Sequence, residues 1–141
     1  MFVRQVMNRT IVTTKPDANL KEASKVMGET HIGCLVVMEN EKIVGIITNS
    51  DILRAIAQDK EPGTTLIGDI MSKNVQIIEP DKSLEDAIKV MVDNKIKKLP
   101  VVENEKLIGI ITASDIAVVQ PRLIASISSL LSIRVPVYSG G

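Results

Sequence analysis

Apolar residues recur at spacings of three and four over Leu20, Ala23, Val26 and Met27, and again over Leu84, Ala87, Ile88 and Met91. Each set draws one stripe down an amphipathic helix. Capping patterns stand in front of both: Asn19 with Glu22 three residues on, and Ser83 with Asp86. Ahead of each helix lies a short apolar segment, TIVTT or NVQII, that ends near a proline. Behind each come two apolar runs, CLVVM with IVGIIT and LPVV with LIGIIT, joined by polar ENEK. The runs predict strands and ENEK predicts a hairpin turn, although no glycine stands in it. After Thr48 and Thr112 the pattern turns helical again. Asp51 and Asp115 fall in that first turn, where a carboxylate suits the helix dipole. The predicted order is β-α-β-β-α, twice, an α/β (α+β) chain.

The two halves are copies. A shift of 64 places lays GIITNSDI at 45–52 on GIITASDI at 109–116, Met7 on Met71, Pro16 on Pro80 and ENEK on ENEK. From Gln5 to Ile56 about 22 of 52 positions are identical, without a gap. The expected organisation is repeat 1 at 1–64, repeat 2 at 65–120 and a tail at 121–141. One repeat is too small to bury its sheet alone, and two packed together can. In the tail, Leu123, Ile124, Ile127, Leu130 and Leu131 share one stripe of a helix that Pro121 could open. That stripe could pack on the repeats or on a second copy of the chain.

Composition narrows the function. Phe2 and Tyr138 are the only aromatics, so the core must be aliphatic, and formal net charge is zero. A nucleic-acid binder shows a basic excess and stacking aromatics, and this chain shows neither. No apolar run approaches the ~18 residues of a membrane span. The opening MFVRQVMNRT lacks the long apolar stretch of a secretory signal. Cys34 is the single cysteine, which rules out an internal disulfide. A cytoplasmic location is expected. His31 has no Cys or His partner at metal spacing, so no metal is expected. No Walker A, G-x-G-x-x-G or G-x-S-x-G occurs, and no catalytic residue or cofactor is expected.

The repeated phrase carries the candidate chemistry. A strand ends in a hydroxyl residue and a helix then begins, with backbone N–H groups at its first turn that attract phosphate. Thr48 or Thr112 could donate to a phosphate or sugar oxygen. Asp51 or Asp115 would repel phosphate but could accept both hydroxyls of a ribose diol. The combination favours a nucleotide. The alternative is that Thr and Asp are helix caps only, which duplication would copy just as faithfully. Gly45 and Gly109 lie within the strand, where glycine marks close backbone approach.

The repeat length, the order of the elements, NKIKKLPVVENEKLIGIITASDI and VGIITNSDI together resemble tandem CBS domains. These are regulatory modules named after cystathionine β-synthase. The resemblance covers about residues 3–120. It implies two repeats packed with pseudo-twofold symmetry, an adenine nucleotide or adenosyl compound between them, and a homodimer. It implies one site of Ile46, Thr48, Asp51, Val75, Gln76, Ile96, Lys97 and Lys98. It implies a second site of Ile110, Thr112, Asp115, Ile11, Val12, Ile32, Gly33 and Cys34. Thr and Asp would meet phosphate and ribose, Ile and Val would hold adenine, and the pair before L-P-V would meet phosphate. Lys97 and Lys98 therefore mark the Asp51 site as the stronger for phosphate. The Asp115 site, with Gly33 and Cys34, would bind weakly, take a less charged adenosyl ligand, or stay empty. The function expected is an AMP/ADP/ATP-like regulatory sensor acting on an unknown partner. The alternatives are a dimeric scaffold with vestigial sites, or a sensor of S-adenosylmethionine-like ligands.

Overall fold

The computed structural model describes residues 1–123 and 125. Its elements are α1 (Val3–Val6), β1 (Thr13–Thr14), α2 (Leu20–Thr30), β2 (Cys34–Glu39), β3 (Lys42–Thr48) and α3 (Asn49–Ala57). The second copy continues with α4 (Ile67–Ile70), α5 (Leu84–Asn94), β4 (Lys98–Glu103), β5 (Lys106–Thr112) and α6 (Ala113–Val119). A single 3-10 turn follows at Pro121–Leu123. The remainder of the expected tail helix, with Ile127, Leu130 and Leu131, lies outside the described residues. No helix among the described residues is long and apolar enough to cross a membrane.

The packing units are not the sequence copies. Thr10–Val75 forms one unit, and Met1–Arg9 joins the chain from Gln76 onward in the other. The one-turn helices α1 and α4, too short to leave a periodic trace, are the pieces exchanged. They dock by the same bonds. Val3 N–H donates to Lys82 O at 2.8 Å and Arg4 N–H to Pro80 O at 2.9 Å; Ile67 N–H donates to Ala18 O at 2.8 Å and Gly68 N–H to Pro16 O at 2.9 Å. Val3 and Ile67 are fully buried pegs. Arg4 adds ion pairs to Asp81, at 3.4 Å, and to Glu103.

In the Thr10–Val75 unit, β1 runs parallel to β2, and β2 pairs antiparallel with β3. The core beneath holds Leu20, Ala23, Met27, Leu35, Val37, Ile47, Ile52 and Ile67. In the other unit β4 pairs with β5, over Val3, Leu84, Ala87, Met91, Leu99, Ile111 and Ile116. The expected first strand of repeat 2 shrinks to one bridge, Ile78 to Val101. The reason is a missing donor. Val36 N–H donates to Val12 O at 3.3 Å in the first copy, and the matching residue in the second is Pro100, which has no N–H.

Both ENEK turns form without glycine. Asn40 and Glu41 take φ of 53° and 62°, and Asn104 and Glu105 take 52° and 65°. Two successive positive φ values are the signature of the tight hairpin turn whose twist matches the strands. His31 (φ 57°) and Lys95 (φ 55°) end α2 and α5 in the left-handed conformation. His31 thus has a structural place, and no metal-holding cluster occurs among the described residues.

The glycines of the repeated phrase mark close approach, and the neighbour is the chain itself. A methyl on Gly45 would overlap Met71 Sδ and lie 2.8 Å from its Cγ and 3.0 Å from Ser72 O. On Gly109 it would lie 2.8 Å from Met7 Sδ and 3.0 Å from Asn8 O. Main-chain bridges lock both approaches: Ile46 exchanges bonds of 3.0 and 2.9 Å with Ser72, and Ile110 exchanges 2.9 and 2.7 Å with Asn8. Gly45→Ala and Gly109→Ala are therefore expected to destabilise by about 1–3 kcal/mol. In a Met71→Ala background the Gly45→Ala cost should shrink. Urea denaturation reads both; a Gly45→Ala loss that Met71→Ala leaves unchanged would refute the close-approach account.

Candidate functional site

In each unit the chain passes from strand to helix with no residue between. Thr48 is the last residue of β3 and the N-cap of α3, and Thr112 plays both parts for β5 and α6. The ladder register seats them. Thr48 stands opposite Cys34, and Thr112 opposite Lys98. Gly33 and Lys97, one place earlier, turn their carbonyls to the helix starts: Asn49 N–H donates to Gly33 O at 3.1 Å, and Ala113 N–H to Lys97 O at 2.9 Å.

This arrangement corrects one expectation. The first helical turn does not present a row of open N–H groups. Besides Asn49 and Ala113, Asp51 N–H donates to Thr48 Oγ1 at 3.3 Å, and Asp115 N–H to Thr112 Oγ1 at 3.1 Å. At each helix start two of the first-turn amides that could attract an anion are thus engaged within the protein.

The predicted site residues divide between the two units. In the Thr10–Val75 unit, Gly33, Cys34, Thr48 and Asp51 gather at one end of the hairpin. Cys34 is buried, and Ile11, Val12, Ile32, Ile46 and Val75 are half-buried. In the other unit, Lys97, Lys98, Thr112 and Asp115 gather in the same way. Ile110 is buried, and Gln76 and Ile96 are half-buried. The main-chain groups of Ile46 and Ile110 are bound to Ser72 and Asn8.

The two carboxylates differ. Asp51 Oδ2 accepts from Thr48 N–H at 2.9 Å and from Thr48 Oγ1 at 3.1 Å, completing a reciprocal cap. Its Oδ1 lies 3.1 Å from Arg54 Nη1, and the side chain is 12% exposed. Asp115 closes no such box. Among the described residues its carboxylate takes no hydrogen bond and no ion pair. Reading the sequence did not single out Arg54. The signal that finds it is the repeat itself, which sets Arg54 against Val118.

The difference is measurable as stability. Asp51→Ala removes an acceptor from a half-buried main-chain N–H and should cost about 1–2 kcal/mol. Asp115→Ala removes only a favourable dipole contact and should cost no more than about 0.5 kcal/mol. Equal losses in denaturant titrations would contradict the assignment.

Known proteins share this framework. A relative from Methanopyrus kandleri, the uncharacterized protein MK0525, is 39% identical over 128 residues, which is 89% of this chain and 65% of that protein. The chain thus spans just under two thirds of that relative's length. The CBS domain-containing protein YhcV of Bacillus subtilis is 34% identical over 119 residues, 84% of each chain. Among solved structures, the CBS domain pair of protein MJ0100, in complex with 5′-methylthioadenosine and S-adenosyl-L-methionine, is 28% identical. It superposes with a TM-score of 0.78, over 86% of this chain and 97% of that one. The CBS domain model itself matches twice, at residues 3–58 and 67–121, so this chain belongs to the CBS-domain family and carries two of its domains in tandem.

Proposed function

We propose that the chain is a regulatory module that binds an adenosine-containing ligand and carries out no chemistry on it. The observation that carries this reading is the Asp115 carboxylate: half-buried, beside a hydroxyl residue, and without a partner among the described residues. Its oxygens are not among the buried unsatisfied polar atoms, so they are open to a donor from outside the protein, and the two hydroxyls of a ribose can fill that place. The solved relative in complex with two adenosyl compounds supports the same class of ligand.

In this reading ribose sits on Asp51 and on Asp115, with Thr48 and Thr112 beside it. Adenine lies against the side chains of Ile46, Val75 and Gln76 for one site, and of Ile110, Ile11 and Val12 for the other. Ile96 and Ile32 adjoin the pairs that meet phosphate, Lys97 with Lys98 and Gly33 with Cys34. Lys97 and Lys98 belong with Asp51, as the family resemblance implies. AMP, ADP or ATP then favours that site, and S-adenosylmethionine-like ligands favour the other. Binding regulates by stabilising one arrangement of the protein, or of a homodimer in the cytoplasm, over another that a partner protein distinguishes. The complete cap at Asp51 favours a second reading, in which these residues only hold the fold and the protein is a scaffold.

Melting curves separate the two. A ligand at 100 times its dissociation constant adds about 2.7 kcal/mol, several degrees in a domain of this size. We expect such a shift with AMP, 5′-methylthioadenosine or S-adenosylmethionine, and none with any of them would leave only the scaffold. Lys97→Ala/Lys98→Ala should weaken AMP about tenfold and change 5′-methylthioadenosine by less than about twofold, because only AMP carries the charge. Equal effects on both would refute the phosphate role.

A further inference from the structure

The two strand-to-helix turns differ at a position that the duplication pairs and does not match. Arg54 stands three residues after Asp51, and Val118 three after Asp115. That spacing puts each side chain on the same helix face as its aspartate. Arg54 Nη1 holds Asp51 Oδ1, the oxygen that the cap leaves over. Val118 is 79% exposed and offers no polar atom. The Asp115 carboxylate is correspondingly unpaired among the described residues.

A cation bound to a carboxylate competes with any hydroxyl that would donate to it. A ribose diol is neutral, so it must displace the guanidinium to reach Asp51. It meets no such competitor at Asp115. We infer that Arg54 is a specificity-determining residue. It discriminates against adenosyl ligands that lack phosphate at Asp51, and it admits phosphorylated ones. The displaced guanidinium then has a new anion to pair with, and its planar fork suits phosphate oxygens. With 63% of its side chain exposed, Arg54 has room to turn from one anion to the other. Asp115, facing Val118, is the end for adenosyl ligands without phosphate. The inference rests on the ribose reading of both aspartates and adds to it the cause of their selectivity.

Calorimetric titration of the full chain tests it, with AMP and 5′-methylthioadenosine as probes. An Asp115→Asn background isolates the Asp51 end, and Asn keeps the side-chain shape. There, Arg54→Val should tighten 5′-methylthioadenosine about fivefold, the worth of one partly exposed ion pair, and should weaken AMP. In an Asp51→Asn background, which keeps a cap acceptor, Val118→Arg should weaken 5′-methylthioadenosine about fivefold at the other end. If Asp51→Asn abolishes one site but Arg54→Val leaves the preference between the two probes unchanged, the role of Arg54 is overturned and the ribose reading stands. If neither Asp→Asn change alters the affinity of any probe, the ribose reading fails and the inference fails with it. Unliganded melting curves of every variant confirm that each titration reads a folded protein.

Discussion

A strand that becomes a helix with no residue between must cap the helix with its own last side chain. That constraint governs both units. Thr48 and Thr112 are strand residues by register and caps by hydrogen bonding. The carbonyls of Gly33 and Lys97 satisfy the first helical amides, so the segments entering β2 and β4 are drawn to the same spot. The glycines three residues earlier let Met71 and Met7 press on the strands and hold them in place. The amides of Asn49 and Asp51, and those of Ala113 and Asp115, are engaged within the protein in the same way in both copies. The two copies kept the backbone device and diverged around it, at Gly33-Cys34 against Lys97-Lys98 and at Arg54 against Val118.

Much of this was legible in the sequence. The offset of 64 exposed the duplication. Three-and-four spacing located α2 and α5, and Asn19 and Ser83 cap them as their neighbours implied, with bonds of 2.9 and 3.0 Å to Glu22 and Asp86 N–H. Other features left little trace. Four residues are too few for a helical period, so α1 and α4 were not anticipated, nor was their exchange between packing units. The lost strand before Ile78 was readable in principle: Pro100 removes a donor that Val36 supplies. ENEK showed that Asn and Glu can hold two positive φ values when the strands on either side fix the register. At the site, the Thr and Asp stood out because they repeat. Arg54 did not, because an exposed arginine on a helix looks like ordinary solvation until its counterpart is examined.

A cap role for Thr-x-x-Asp does not exclude the proposed ligand role. At Asp51 the cap is complete and Arg54 occupies the remaining oxygen, so a ligand of the kind proposed would compete there with the protein. At Asp115 only the threonine caps, and the carboxylate has no partner among the described residues. A module with one guarded end and one open end could respond to two adenosyl compounds separately, each stabilising the protein through a different aspartate.

The most direct test of that asymmetry is an amide-resolved NMR titration of the full chain with 5′-methylthioadenosine. The account predicts that the Thr112 and Asp115 amides shift at lower ligand concentration than those of Thr48 and Asp51. Shifts that appear first at Thr48 and Asp51, or at neither pair, would contradict it.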